Sequence, residues 1–156
     1  MSYSDIPEQL THPSVKRWCV FRCYFYPDKI KKIPHHPLGH LASSNEPESW
    51  ANFTDCMKAI EFGLGHYPGF ALSLGYHLAC VDIDRCINPV GEYSATAMKY
   101  LELFKGAAYI EKSLSGRGLH IYFWYTGKNT PPIHPEAGVE LYTERQFVII
   151  TGDTIE

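Results

Sequence analysis

The stretch His77–Asp84, HLACVDID, organises the reading of this chain. Its apolar run is rich in β-formers and predicts a strand of the buried kind. The run ends in two acids, Asp82 and Asp84, two positions apart. At a strand period of 2 their side chains share one face of the sheet. Two adjacent carboxylates repel, so one takes up a proton unless a cation lies between them. A hard divalent ion with oxygen ligands, Mg²⁺ or Mn²⁺, meets that need. The alternative is a turn in which Asp84 caps the following loop.

Working outward, Gly69–Leu74 (GFALSL) reads as a second strand. Glu92–Gly106 (EYSATAMKYLELFKG) reads as a helix, with Met98 and Leu101 on one face and Gly106 as its stop. Four more strands are expected in AAYIEKS, LHIYFWY, GVELYT and QFVIITG. Upstream, KRWCVFRCYFY (Lys16–Tyr26) reads as a strand, and Lys32–Pro47 (KIPHHPLGHLASSNEP) reads as a loop by its Pro and Gly content. A helix should follow, capped by Asn45 or Ser49, with Trp50, Phe53, Met57 and Ile60 at helical spacing. The expected order is β, α, β, β, α, β, β, β, β. It predicts a mixed α/β or α+β sheet with helices on one side.

Composition sets the outer limits. The 156 residues suffice for one domain, and 45% hydrophobic with 20% charged content is ordinary for a globular chain. No apolar run approaches the ~20 residues of a membrane helix. The N-terminus lacks the basic and apolar regions of a signal peptide. Five cysteines with no CxxC pair read as reduced thiols in a cytosolic protein. The net charge of −3 offers no global case for nucleic-acid binding. Locally, Lys16, Arg17, Arg22, Lys29, Lys31 and Lys32 face one acid, Asp28, which makes that segment +5 by 6 − 1. Such a face tracks phosphates, or else it is an edge strand guarded by lysines.

The chemistry concentrates in SLSGRGLH, Ser113–His120. Ser113, Ser115 and Arg117 supply hydroxyl and guanidinium donors. Gly116 and Gly118 let backbone N–H groups approach a ligand closely. His120 opens the next strand, within reach of the same pocket or as a satisfied core histidine. A triphosphate fits this donor set, with arginine as a bidentate phosphate partner. Glu140, a lone acid in GVELYT, either faces solvent or joins Asp82 and Asp84 in a two-metal site.

The ordered set VDID, SLSGRGLH, VELY and RQFVIITG resembles the bifunctional primase–polymerase domain of the archaeo-eukaryotic primase superfamily, in its phage, prophage and plasmid forms. The segment KKIPHHPLGHLASSNEPESW is similar to that family's K-x-P…G…A-S-x-x-x-P-x-x-W element, and the likeness spans roughly residues 16 to 152. The extra Gln146 between Arg145 and Phe147 departs from the family spacing. The resemblance implies an RRM-like, mostly antiparallel catalytic sheet with helices packed on it, plus a small N-terminal α/β subdomain. It implies Mg²⁺ or Mn²⁺ on Asp82, Asp84 and Glu140, and catalysis by these with His120. It implies a nucleotide site of Ser113, Ser115, Arg117, Gly118, His120, Lys32 and Arg145. The expected activity is DNA primase and polymerase chemistry from NTPs or dNTPs on a single-stranded DNA template. Many members continue into a helicase. Because the chain stops just past a strong strand, residues 1–156 read as a catalytic domain cut from a longer replication protein.

Three rivals remain. A metal-dependent nuclease also uses acid clusters, but needs no triphosphate loop. A non-catalytic RRM-like module stacks bases on exposed aromatics and has no use for three acids. A zinc site at His36 and His40 is opposed by the two prolines of that loop.

Overall fold

A computed structural model describes residues 2–126 and 136–155. In chain order the described elements are a helical turn α1 (Glu8–Thr11), β1 (Lys16–Phe25), β2 (Ile30–His35), β3 (Ala51–Asn52) and α2 (Phe53–Glu61). They continue with β4 (Gly69–Leu74), β5 (Leu78–Ile83), α3 (Ala95–Leu103), β6 (Tyr109–Lys112), β7 (Leu119–Trp124), β8 (Val139–Tyr142) and β9 (Gln146–Ile150). The fold is mixed α+β with antiparallel pairing, as the sequence predicts, but it is built on two sheets and not one. The chain divides into two compact units.

The first unit, Pro7–Ser73 with Phe147–Ile150, holds the sheet β2-β1-β4-β9, with β3 added beside β1. Trp18 anchors its core. The indole is fully buried, packs edge-on against Phe53 and Phe70 at 4.9 and 6.0 Å, and donates its N–H to the Leu10 carbonyl at 2.7 Å. That bond satisfies the one polar atom of a large apolar side chain.

Two expectations need correction here. Ile30–His35 lies partly in the stretch read as loop, yet it is a strand paired with β1. Its Pro34 is tolerated because β2 is an edge strand. The helix N-cap is Asn52, whose Oδ1 accepts from the Asp55 N–H at 2.8 Å, and not Asn45 or Ser49. Trp50 precedes the helix and donates to the Ser43 carbonyl.

The second unit, residues 1–6, 74–146 and 151–156, holds the antiparallel sheet β6-β7-β5-β8. One face is apolar. Ala79, Val81 and Ile83 of β5 and Leu119, Ile121 and Phe123 of β7 pack on Ala97, Tyr100 and Phe104 of the α3 region. Met98, expected inward, is 56% exposed, whereas Leu101 is partly buried as predicted. Tyr100 and Ala97 set the buried stripe instead, three positions apart, because the larger ring carries more apolar area into the core. Alternation then forces the intervening residues of β5 and β7, including Asp82 and His120, onto the opposite face. No helix among the described residues is long and apolar enough to cross a membrane.

Candidate active site

Strand register gathers four of the chemistry-bearing residues. Asp82 pairs across the sheet with His120 on one side and with Glu140 on the other, and His120 pairs with Glu111. Directly opposed residues share a face. The sheet therefore carries a transverse row, Glu111–His120–Asp82–Glu140, running from strand β6 to strand β8. Glu140 falls on the face where a site with Asp82 requires it.

Burial grades along the row. Glu111 is fully buried, His120 is buried, Asp82 is intermediate and Glu140 is exposed. The open end is thus the Asp82–Glu140 end. Asp84 lies one residue beyond β5, exposed, with its N–H donating to the Gly138 carbonyl at 2.8 Å. Burial raises the Asp82 pKa, His120 opposes that, and the negative charges of Asp84 and Glu140 raise it further. Tyr142 donates its hydroxyl to Glu140, and burial together with that bond raises the tyrosine pKa.

Sequence reasoning missed Glu111. Its carboxylate accepts from the N–H groups of Thr151 (3.0 Å) and Gly152 (3.1 Å) and from the Tyr109 hydroxyl (3.1 Å). It also lies 3.1 Å from Nδ1 of His120. With Nδ1–H directed at Glu111, the imidazole presents Nε2 to Asp82 Oδ1 at 3.7 Å. A carboxylate behind a histidine fixes both tautomer and ring orientation. The TG of RQFVIITG thereby acquires a physical role, since its two amides hold this carboxylate. Alternation in YIEK sets Ile110 on the apolar face and Glu111 on the other, so the sequence carried no signal that this acid is buried.

The Ser113–Gly118 loop is folded on itself. Ser113 Oγ accepts from the Gly118 N–H (3.0 Å) and Ser115 Oγ from the Arg117 N–H (3.2 Å), while the Gly116 N–H bonds to the Ser113 carbonyl (2.8 Å). A Cβ at Gly118 would lie 2.8 Å from the Ile83 carbonyl, so glycine is needed for close approach to β5. Gly116 has φ +74°, the left-handed region that glycine adopts freely. Arg117 spends Nε on the Ile87 carbonyl at 2.5 Å. Its Nη nitrogens make no hydrogen bond among the described residues. The expectation that Gly116 and Gly118 free backbone amides for an anion is therefore corrected: both N–H groups close the loop, as does that of Arg117. The Ser113 and Ser115 hydroxyls bond each other at 3.2 Å, which uses one of their two protons, so one hydroxyl and the guanidinium end remain as donors.

Lys32 is exposed on β2 in the first unit, in register with Cys23. Arg145 is exposed between β8 and β9 with φ +52°. Neither belongs to the row. The His36 and His40 rings stack at 4.4 Å, 13° apart, and His36 Nδ1 accepts from the Leu38 N–H. Burial and then His40 lower the His36 pKa, against a smaller opposing effect of Asp55.

Among the described residues, no three His, Cys, Asp or Glu side chains converge as a ready-made metal site. The donors nevertheless fit a hard cation. Asp82 Oδ1 is buried without a hydrogen-bond partner, a costly state that a cation would relieve. Asp84 and Glu140 add oxygen ligands of the kind Mg²⁺ or Mn²⁺ takes. Compared with known proteins, no family model matches the chain and no curated protein matches it significantly.

Proposed function

We propose that this chain is a template-directed nucleotidyltransferase, a DNA primase–polymerase of the archaeo-eukaryotic type, working in the cytosol in phage, prophage or plasmid replication. The observation that carries the reading is the shared face of Asp82, His120 and Glu140, three residues drawn from three separate motifs and brought into one row by register. In the transfer, a primer 3′-oxygen forms a bond to the α-phosphorus of an NTP or dNTP. The bond to pyrophosphate breaks, and the hydroxyl proton passes to solvent. Asp82, Asp84 and Glu140 would hold Mg²⁺ or Mn²⁺, which supplies charge neutralisation on the phosphates. His120, held by Glu111, directs one nitrogen along the row, and Arg117 and one serine hydroxyl offer donors to the triphosphate. The partners on this reading are a single-stranded DNA template and a helicase, in the same polypeptide or a separate one.

The alternative of a base-stacking RRM-like module fits less well, because two aromatics beside the acid row, Tyr109 and Tyr122, are buried, and the half-buried Tyr142 is tied to Glu140 by its hydroxyl. A nuclease differs from the proposed enzyme in having no need for free nucleotide. The deciding experiment is primer synthesis on single-stranded DNA with NTPs or dNTPs, run beside triphosphate binding without DNA. Synthesis lost in Asp82→Ala/Asp84→Ala supports the proposal. DNA cleavage without nucleotide binding refutes it in favour of the nuclease.

A further inference from the structure

The tip of the β1–β2 hairpin groups several exposed apolar side chains of the first unit. Every residue from Tyr24 to Lys32 is exposed. Phe25 is 78% exposed, Ile30 58% and Tyr26 50%. The strands are joined by a tight turn at Pro27-Asp28, closed by the Tyr26 N–H on the Lys29 carbonyl at 2.8 Å. Register places Tyr24 opposite Lys31 on one face, and Phe25 opposite Ile30 on the other, next to the Cys23–Lys32 pair. Each face thus carries an aromatic beside a lysine. Lys29, Lys31 and Lys32 form no ion pair among the described residues. A shallow cleft of about 360 Å³, lined by Arg22, Cys23, Tyr24, Gly65 and His66, adjoins the base of the tip. Its Arg22 guanidinium lies 5.1 Å from the Tyr67 ring centroid.

Lysines alone protect an edge strand from pairing with other chains. That role gives no reason to leave a phenylalanine, a tyrosine and an isoleucine in water at the same place. We infer that this hairpin tip is a docking surface for single-stranded nucleic acid, with Phe25 and Tyr26 stacking on bases and Lys29 and Lys31 pairing with phosphates. Interleaved aromatics and cations are the two elements such binding uses, and base stacking tolerates any sequence. An anionic membrane is the less suitable partner, because the aromatics lie on both faces of the ribbon and offer no single insertion plane. A flexible single strand wraps both. The choice of a nucleic acid rests on the proposed function, but the following test does not depend on it.

The test is fluorescence anisotropy with a labelled oligothymidylate and the intact chain. Phe25→Ala/Tyr26→Ala should weaken binding about tenfold to a hundredfold at fixed salt. Lys29→Gln/Lys31→Gln should weaken it too, and should flatten the slope of log affinity against log salt by roughly 0.7 per lysine removed. Both variants replace exposed side chains, so their thermal midpoints should match wild type. Triphosphate affinity should be unchanged in both. In Asp82→Ala/Asp84→Ala the reverse should hold, with oligonucleotide binding retained even if the nucleotide reading fails. Unchanged anisotropy in both hairpin variants overturns the inference. An effect of the lysine pair alone overturns the stacking role. Binding to phosphatidylserine vesicles but not to the oligonucleotide replaces it with a membrane surface.

Discussion

Replacing Glu111 is the most informative perturbation of the second unit. In Glu111→Ala, the Thr151 and Gly152 N–H groups and the Tyr109 hydroxyl lose their shared acceptor in a fully buried place. Each orphaned buried donor costs about 1–3 kcal/mol, and the losses overlap because they share one carboxylate. Loss of one member from a buried charged network costs about 3–5 kcal/mol. For a chain of this size that lowers the thermal midpoint by roughly 6–20 °C. Glu111→Gln separates stability from orientation. Its oxygen can still accept from Thr151 and Gly152, but its NH₂ then faces His120 Nδ1. The imidazole must move its proton to Nε2 to accept that bond. Nitrogen-15 NMR of the imidazole reads the tautomer directly, and calorimetry reads the midpoint. The expected result is a large midpoint loss in the alanine variant, a smaller one in the glutamine variant, and a tautomer switch in the latter. An alanine variant within 2 °C of wild type, or a glutamine variant with an unchanged imidazole spectrum, refutes the reasoning.

Three further outcomes are expected. Asp82 has a raised pKa in the folded chain, so the native state binds its proton more tightly than the unfolded state does. Its contribution to stability should therefore fall as pH rises from the ordinary carboxylate range through the raised value. Asp82→Asn should remove that part of the pH slope, and Asp82→Ala/Asp84→Ala should melt no lower than wild type without metal. A steeper slope in Asp82→Asn would contradict the assignment. Gly118→Ala should cost about 1–3 kcal/mol, since its Cβ meets a backbone carbonyl at 2.8 Å. Gly116→Ala, with nothing within 4 Å but φ +74°, should cost about 1–2 kcal/mol, and urea denaturation compares the two. Arg117→Ala and His120→Ala should each lose about tenfold to a hundredfold in triphosphate affinity, with nucleoside affinity little changed. Titrations with nucleoside, monophosphate and triphosphate check this.

Periodicity alone determined much of this protein. The strand period of 2 divides the residues of HLACVDID and LHIYFWY between two faces, while packing decides which face meets α3. The spacing of Asp82 and Asp84 likewise follows from local geometry. Turn chemistry was less legible: Pro34 masked an edge strand, and Asn52 capped a helix that two earlier residues could have started. What the sequence could not contain is register. Glu111, His120, Asp82 and Glu140 lie on four strands, and nothing local relates their positions along those strands. Only the pairing of each strand with its neighbour sets them in one row. The same holds for Thr151 and Gly152, whose amides reach a carboxylate some forty residues earlier in the chain. Hydrogen bonding across a sheet depends on contacts distant in sequence, so the partners of a buried acid are decided by the tertiary structure.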